Sequence, residues 1–246
     1  RTLLSECLMS NLLSFNIHHR NKTMTILLTS FSAKLDKSQT DNWLNAVMYL
    51  DPSYHQSVCR GKSKGCYASC LVNSGRMGMA LAVNARRNRT DRLFNQRDLF
   101  MIQLKGEIAS KLSQAQKQGK RLAIRLNGTS DIDWSEVYNT FPMIQFYEYT
   151  KRIDLAKKLA KLTNVDVTFS KHENHSAKAV HKVLASGVNV AVVFNGKVPE
   201  SYIDIKVIDG DKHDRRFEDD KGRIIGLKLK GTNKVKALAI QSGFAV

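Results

Sequence analysis

The residues of this chain best suited to chemistry are three clustered cysteines. Cys59, Cys66 and Cys70 follow the spacing C-x6-C-x3-C, and Gly61 and Gly65 between them allow sharp turns that would bring the sulfurs together. Thiolates are soft ligands that suit iron–sulfur clusters and zinc. A closed structural zinc site takes four protein ligands, so three thiolates indicate a site that is open on one side. The pattern therefore predicts that these cysteines bind a thiophilic metal or cluster.

The pattern leaves both the metal and the remaining ligand open. Cys7, a carboxylate or a small molecule could complete the site, and His55 is close enough in sequence to complete a zinc site. Lys62 and Lys64 would offset the charge of the thiolates and lower their pKa. Three reduced cysteines packed in a loop are the alternative without metal. A disulfide scaffold is excluded because four cysteines are too few for 246 residues.

A second set of polar residues follows the apolar segments in the later part of the chain. In parallel α/β folds the carboxyl ends of the strands form one functional face, so these residues are expected to converge there. Lys151 could pair with a phosphate or carboxylate, and His172 could act as a general base. Alternatively, the set forms turns and helix caps, for which Asp133 is a candidate. The predicted pocket residues are Asn127, Thr129, Ser130, Asp131, Tyr149, Lys151, Ser170, Asn195, Asp209 and Asp211.

An acidic loop brings three carboxylates together within six residues. These are Asp209, Asp211 and Asp214, and Arg215 and Arg216 follow them directly. The carboxylates could bind a divalent cation, as in a metal-dependent nuclease. Equally, they could form an ion-pair turn with the two arginines.

The charge of the chain is strongly basic. Lysine and arginine number 39 against 22 aspartate and glutamate, which gives a formal net charge of +17. Such a surplus favours a polyanionic partner, DNA, RNA or an acidic protein, although the charges could also be spread over the surface. No base-reading motif accompanies them, so binding would be weakly sequence-specific. The predicted nucleic-acid contacts are Arg76, Arg86, Arg87, Arg89, Arg92 and Arg97.

The elements that must position these residues alternate between strand and helix. From residue 121 onward a strand and a helix recur about every 22 residues, which is typical of βαβ units and a parallel sheet. We therefore predict an α/β fold, a (β/α) barrel that is partial or irregular and TIM-like, as a single domain over residues 24–246. Predicted strands are 45–50, 121–127, 143–149, 165–170, 188–194, 205–208 and 223–230. Predicted helices are 79–94, 98–118, 134–140, 153–162, 176–186 and 232–241.

The first 23 residues stand apart from this pattern. Their apolar run is interrupted by polar residues and has no small-residue cleavage site, so we expect an extension rather than a secretory signal, with Met24 as a candidate start. No stretch approaches the roughly 18 apolar residues that span a membrane. We expect a protein of the cytoplasm without a membrane partner.

Six short segments, taken in order, resemble a family of uncharacterised bacteriophage and prophage proteins, the gene product eighty-eight-like group. The resemblance covers about residues 26–246. It implies a phage-encoded protein of the host cytoplasm, a barrel related to radical-SAM enzymes and a cysteine-bound iron–sulfur cluster, [4Fe–4S] before zinc. The cysteine spacing departs from the radical-SAM pattern C-x3-C-x2-C, which weakens the case for SAM as a ligand. The segments are SAKLDK at 32–37, residues 66–70 with 75–76, RLNGTSD at 125–131, FYEYTK at 146–151, NVAVVF at 189–194 and DGDKHDRRF at 209–217.

Two functions from different classes follow. The first is an iron–sulfur protein whose open cluster faces a small-molecule pocket at the strand ends, with no reaction indicated. The alternative is a non-catalytic basic accessory protein that binds nucleic acid or a host protein, with a structural or redox-sensing cluster.

Overall fold

The computed structural model describes residues 25–30, 42–73 and 75–246. The predicted extension at 1–23, Cys7 and the segment at 32–37 lie outside the described residues. Among the helices of the described part, none is long and apolar enough to cross a membrane.

One nine-stranded mixed sheet forms the centre of the described part of the molecule. Its order is β1-β2-β3-β4-β5-β6-β9-β8-β7; β1 and β7 pair antiparallel to their neighbours, and all the other pairs are parallel. The strands are β1 Leu28–Thr29, β2 Trp43–Met48, β3 Arg121–Arg125, β4 Gln145–Thr150, β5 Val165–Ser170, β6 Asn189–Phe194, β7 Ser201–Tyr202, β8 Ile205–Asp209 and β9 Ile224–Lys228.

Most of the helices lie between consecutive strands of this sheet, α7 follows β9, and several helices have recognisable caps. Side chains of Ser63, Ser176 and Thr232 accept hydrogen bonds at three helix starts, which satisfies otherwise unpaired amides. Gly119 and Gly187 follow two helix ends with φ of 65° and 80°, a conformation that favours glycine. The helices are α1 Lys64–Ala68, α2 Ala80–Asn95, α3 Arg97–Lys117, α4 Ser135–Thr140, α5 Ile153–Leu159, α6 Ala177–Leu184 and α7 Asn233–Gln241.

The two faces of the sheet are covered in different ways. Leu44, Phe146 and Val167 represent the face that packs against the helices in the main apolar core. On the opposite face a loop between β8 and β9 takes the place of helices: Phe217 packs against Trp43, with ring centroids 4.7 Å apart. Because both faces are covered, the parallel strands are buried almost throughout.

The sheet is open, so the predicted partial or irregular TIM-like (β/α) barrel is not confirmed. Closure would require β2 to pair with the last parallel strand, but the outer side of β2 pairs with β1, and the outer side of β8 pairs with β7. The loop that contains Phe217 packs against the sheet face that would line the inside of a closed barrel. The prediction of an α/β fold with consecutive parallel strands is confirmed.

Both edge strands are only two residues long. At β1 the carboxylate of Glu107 accepts hydrogen bonds from the amides of Leu27 (3.0 Å) and Leu28 (2.8 Å). At the other edge a two-residue turn, Ile203 and Asp204, joins β7 to β8 with positive φ at both positions.

Candidate functional site

A cavity of about 190 Å³ lies at the carboxyl ends of the parallel strands. Cys59, Cys66 and Cys70 all line it, although they are held by different local structures. The polar residues from the strand ends that share the lining are Asn127, Thr129, Ser130, Tyr149, Lys151, Ser170 and Asp211. The structure thus brings the cysteines and most of the predicted pocket residues to one place.

Two of the three cysteines are buried and anchored to the protein backbone. Cys59 forms an isolated parallel bridge with Asp131, whose amide donates to the carbonyl of Val58 at 2.7 Å. Cys66 lies in the short helix α1, and its amide donates to the side chain of Ser63 at 3.1 Å. Cys70 follows that helix and is partly exposed. Backbone hydrogen bonds therefore fix the cysteine loop as part of the cavity wall.

Glu173, which follows β5, holds the cysteine loop in place. One carboxylate oxygen accepts from the hydroxyl of Ser63 at 2.6 Å, and the other accepts from the amide of Gly65 at 2.8 Å. Burial tends to raise the pKa of Glu173, but these hydrogen bonds outweigh it and lower the pKa. The Ser63 hydroxyl also accepts a hydrogen bond from the amide of Cys66. Glu173 therefore holds Cys66 in place through Ser63.

Gly61 and Gly65 allow the cysteine loop to pack closely against neighbouring residues, and they are not needed for a left-handed turn. A Cβ at Gly61 would lie 2.8 Å from the Asp131 carboxylate and 2.8 Å from Cβ of Lys151. A Cβ at Gly65 would lie 2.9 Å from both the Glu173 carboxylate and Cβ of Phe244. The expectation from the sequence was correct about the residues and wrong about the reason, because neither glycine has a positive φ.

Asp131 fixes the backbone at Lys151 and thereby orients this residue. The carboxylate of Asp131 accepts from the Thr150 hydroxyl at 2.6 Å and from the Lys151 amide at 3.0 Å. This places the Lys151 side chain in the cavity wall beside the cysteines. Asp131 was predicted as a pocket residue, but it does not line the cavity. It contacts Thr150 and Lys151 instead.

The electrostatics of the site oppose free thiolates. Burial raises the pKa of Cys59 to about 11, and burial also raises the pKa of Cys66, against the opposite effect of Lys151. Burial tends to lower the pKa of Lys151, but the sulfurs of Cys66 and Cys59 and the Asp131 carboxylate outweigh it and raise the pKa. Burial therefore disfavours the thiolate forms of Cys59 and Cys66, whereas the Lys151 ammonium favours them.

The residues after β3 stabilise their own loop. Asn127 Oδ1 accepts from the Ser130 hydroxyl (2.8 Å), the Ile132 amide (3.0 Å) and the Trp134 indole (3.2 Å). Thr129 donates to the carbonyl of Leu50 at 2.5 Å. The alternative reading as a turn is therefore correct for these side chains, even though they border the cavity.

A buried glutamate fixes the same loop from the helix side of the sheet. Glu148 accepts from the amides of Leu126 (2.8 Å) and Asn127 (2.9 Å) and from the hydroxyl of Tyr138 (2.9 Å). Burial raises the pKa of Glu148 to about 7, against the lowering effect of these hydrogen bonds and of Arg125.

Several predicted residues lie away from the cavity. Asn195 is exposed, and Asp209 accepts from the amide of Asp211 at 3.0 Å; neither lines it. His172 is buried, does not line the cavity, and accepts from the Asn174 amide at 3.2 Å.

His55 and Lys64 also lie elsewhere. His55 stacks on Phe94 with ring centroids 3.9 Å apart, and Lys64 is exposed outside the cavity lining. Lys62 does line the cavity, with its ammonium 4.8 Å from the centroid of the Tyr67 ring.

The acidic loop forms ion pairs, but with other partners than the ion-pair turn of the alternative interpretation: Arg215 pairs with Glu218 and Arg216 with Asp219. Asp211 pairs with Lys230 at 2.5 Å, and Asp214 pairs with Arg125 at 3.0 Å. Arg216 is fully buried on the loop side of the sheet and pairs with Asp219 at 3.2 Å. These pairings use the carboxylates that a divalent cation would need.

The predicted arginine patch is divided between structural and exposed residues. Arg86 is buried and donates to the carbonyl of Met77 at 2.7 Å, and Arg89 donates to the carbonyl of Ile26 at 2.7 Å. Arg92 is partly buried on the same helix. The exposed arginines of the set are Arg76, Arg87 and Arg97, of which Arg87 pairs with Asp51 at 3.4 Å and Arg97 with Glu136 at 3.8 Å.

The three cysteines share one cavity without forming a site for a single metal ion. In the described part of the chain, no three side chains among histidine, cysteine, aspartate and glutamate form a group able to hold a single metal ion. Cys59, Cys66 and Cys70 nevertheless line the same cavity. Cysteine thiols are the donors that iron–sulfur clusters take.

Sequence reasoning missed the role of Glu173 and the position of Lys151 beside the sulfurs. Glu173 does follow a predicted strand, which is a signal for the functional edge, but its partners Ser63 and Gly65 are 110 and 108 residues away in sequence.

A family model described as gene product 88 matches residues 24–246. No curated protein and no solved structure matches the chain.

Proposed function

This chain belongs to the gene product 88 family, and we propose that its three clustered cysteines hold an iron–sulfur cluster, [4Fe–4S], at an open site facing the cavity. The observation that carries the proposal is that Cys59, Cys66 and Cys70 line one cavity at the carboxyl ends of the strands. The phage origin and host-cytoplasm location implied by the resemblance belong to this proposal as well.

When bound, a cubane cluster with three protein thiolates offers one iron without a protein thiolate to a small molecule. The chain contributes the setting. Glu173 holds the loop that carries Cys66, and the Lys151 ammonium offsets the charge that the thiolates would bring. Leu229 and Phe244 pack against Cys66 and keep water from that side of the site.

Anaerobic purification of the full chain tests the proposal. We expect about four iron and four sulfide per chain and a visible absorbance that bleaches on reduction. Serine variants of Cys59, Cys66 and Cys70 should each lose most of the iron, whereas Cys7→Ser should keep it. A colourless, iron-free protein with one zinc per chain would overturn the proposal, and loss of iron in Cys7→Ser would show that the site is closed.

SAM is the most specific candidate for the open position, and it rests on the resemblance alone. Incubation of the reduced, iron-loaded protein with SAM should yield 5′-deoxyadenosine if the cluster performs radical-SAM chemistry. Absence of any SAM product removes SAM and leaves cluster binding unaffected.

A second candidate, nucleic-acid binding by a basic accessory protein, is favoured by the net charge of +17 and by three exposed arginines. We expect a weaker salt dependence of DNA binding when Arg76, Arg87 and Arg97 are replaced by Gln. The slope of log K against log salt concentration should become less negative by about 0.9 for each phosphate contact that is lost. Removing Lys157, Lys178 and Lys182, which are exposed on α5 and α6, is the matched control. Equal loss in both triple variants, or binding that does not change with salt, would contradict an interface at the arginines.

A further inference from the structure

The cavity wall carries far more positive than negative side chains. Its lining contains five cationic residues and one carboxylate, that of Asp211. The cations are Lys62, Arg125, Lys151, Lys228 and Lys230. A concave, partly apolar surface with one sign of charge attracts ligands of the opposite sign.

Most of these cations already have partners. Arg125 pairs with Asp214, Lys230 pairs with Asp211, and Lys62 donates to the carbonyl of Pro52. Lys228 is exposed at the rim. These groups contribute to the positive potential of the cavity, but their partners or their exposure to solvent weaken them as binding groups for an anion.

Lys151 differs from the others. Within the part of the chain that the structure describes, no carboxylate forms an ion pair with its ammonium, and Asp131 binds its backbone amide instead. A Cβ at Gly61 would lie 2.8 Å from the Cβ of Lys151, so the lysine is packed at its base, and it lines the cavity. An ammonium in a cavity wall without a carboxylate partner is a binding group for an anionic oxygen.

The rest of the cavity indicates what the anion is attached to. Leu227, Leu229, Val193 and Phe244 form an apolar part of the wall. The volume of about 190 Å³ is below the roughly 300–1,000 Å³ typical of drug-sized ligands. A compact ligand with one charged end and an apolar body matches both features.

We propose that the cavity takes a small organic anion whose carboxylate or phosphate lies on the Lys151 ammonium and whose apolar body lies against Leu227, Leu229 and Phe244. The inference rests on the proposed function, because it takes the cavity beside the cysteines as the working site. It names the class of ligand that would meet the open side of that site.

Binding of three matched probes tests this inference. Phenylacetate, phenyl phosphate and the neutral phenylacetamide are titrated into the protein as purified anaerobically, with binding followed by calorimetry. At least one anion should bind about tenfold or more tightly than the amide, because a charge-assisted hydrogen bond is lost with the amide. The stronger of the two anions identifies a carboxylate or a phosphate ligand.

Lysine variants locate the binding group. Lys151→Met should weaken binding of the anion about tenfold or more, and Lys151→Arg should retain part of it. Lys178→Met removes the same charge from an exposed position on α6 and should change nothing. Circular dichroism of each variant shows that the fold is kept. Equal binding of amide and anions, or equal affinity in Lys151→Met and Lys178→Met, would overturn the inference.

Metal analysis of the same sample separates this result from the proposed function. Anion binding to a protein without iron would leave the inference standing and remove the cluster. An iron-loaded protein that binds neither anion would remove the inference alone.

Discussion

Glu173 is a single side chain on which the cysteine site depends. Its two oxygens accept from Ser63 and Gly65, and through Ser63 they fix the amide of Cys66. No cysteine ligand is involved in this contact. If the cysteines bind the proposed cluster, this support matters, because loss of a group that supports a metal ligand typically weakens metal binding about 10–100-fold.

Glu173→Gln should therefore lower the iron content without unfolding the protein. Glutamine keeps one acceptor oxygen and turns a donor toward either Ser63 or Gly65, which costs about 1–2 kcal/mol locally. Iron per chain after anaerobic purification measures the effect. Glu136→Gln, which breaks exposed ion pairs with Arg97 and Lys105, is the control and should keep its iron. Equal iron in both variants would show that Glu173 is not needed for the site.

Glu148 is a buried carboxyl group whose charge opposes folding. Its pKa is raised from 4.5 to about 7 in the folded protein, mainly by burial. Between these values the folded state holds a proton that the unfolded state has lost, so stability falls as the pH rises through this range. The total effect is about 3 kcal/mol at most.

Glu148→Gln should remove this pH dependence. The variant has no charge to bury at high pH. Its free energy of unfolding should therefore lie furthest below that of the natural protein near pH 5, and the difference should be smaller near pH 8. Denaturant unfolding at both pH values measures the difference. Glu200→Gln, at an exposed position, should show a difference that does not change with pH. A constant difference for Glu148→Gln as well would mean that its pKa is not raised.

At the scale of elements, the cysteine loop is packed against the strand ends through glycines. A Cβ at Gly61 would come within 2.8 Å of both Asp131 and Lys151. Gly106, in contrast, lies in α3 with no atom near the position of its Cβ. The same substitution is therefore expected to have opposite effects at the two sites.

Gly61→Ala should destabilise the protein by about 1–3 kcal/mol, because the added methyl group forces the loop away from β4. Gly106→Ala should stabilise it by about 0.5–1 kcal/mol through helix propensity. Thermal unfolding of both variants measures these changes. Iron content should fall only in Gly61→Ala, and a stable, iron-loaded Gly61→Ala protein would contradict the close packing.

The elements show how far the sequence is informative. The strand predicted at 165–170 has those bounds in β5, because the alternation of apolar and polar residues within a short segment is a local property of the sequence. The five-residue helix α1 and the two-residue strand β7 were not predicted, because segments so short carry no periodicity. Contacts such as Glu173 with Ser63 join distant parts of the chain and leave no local signal.

At the scale of the whole molecule, the order of β2 to β6 was predictable from the sequence, whereas the order β6-β9-β8-β7 and the open edges of the sheet were not. Alternating strands and helices favour consecutive parallel neighbours, as found from β2 to β6. Closure depends on what pairs with the outermost strands, and here the short strands β1 and β7 occupy those places. The loop at Phe217 then covers the sheet face that a barrel would enclose.

The open sheet has a consequence for self-association. An exposed edge strand offers unpaired amides and carbonyls to a second molecule and is a site of aggregation. Here each edge is a strand of two residues, and at β1 the Glu107 carboxylate already accepts from the amides of Leu27 and Leu28. Strands that short leave little backbone on which another chain could add a strand. The molecule can thus leave its sheet unclosed, with a cavity accessible at one end, without inviting edge-to-edge assembly into fibres.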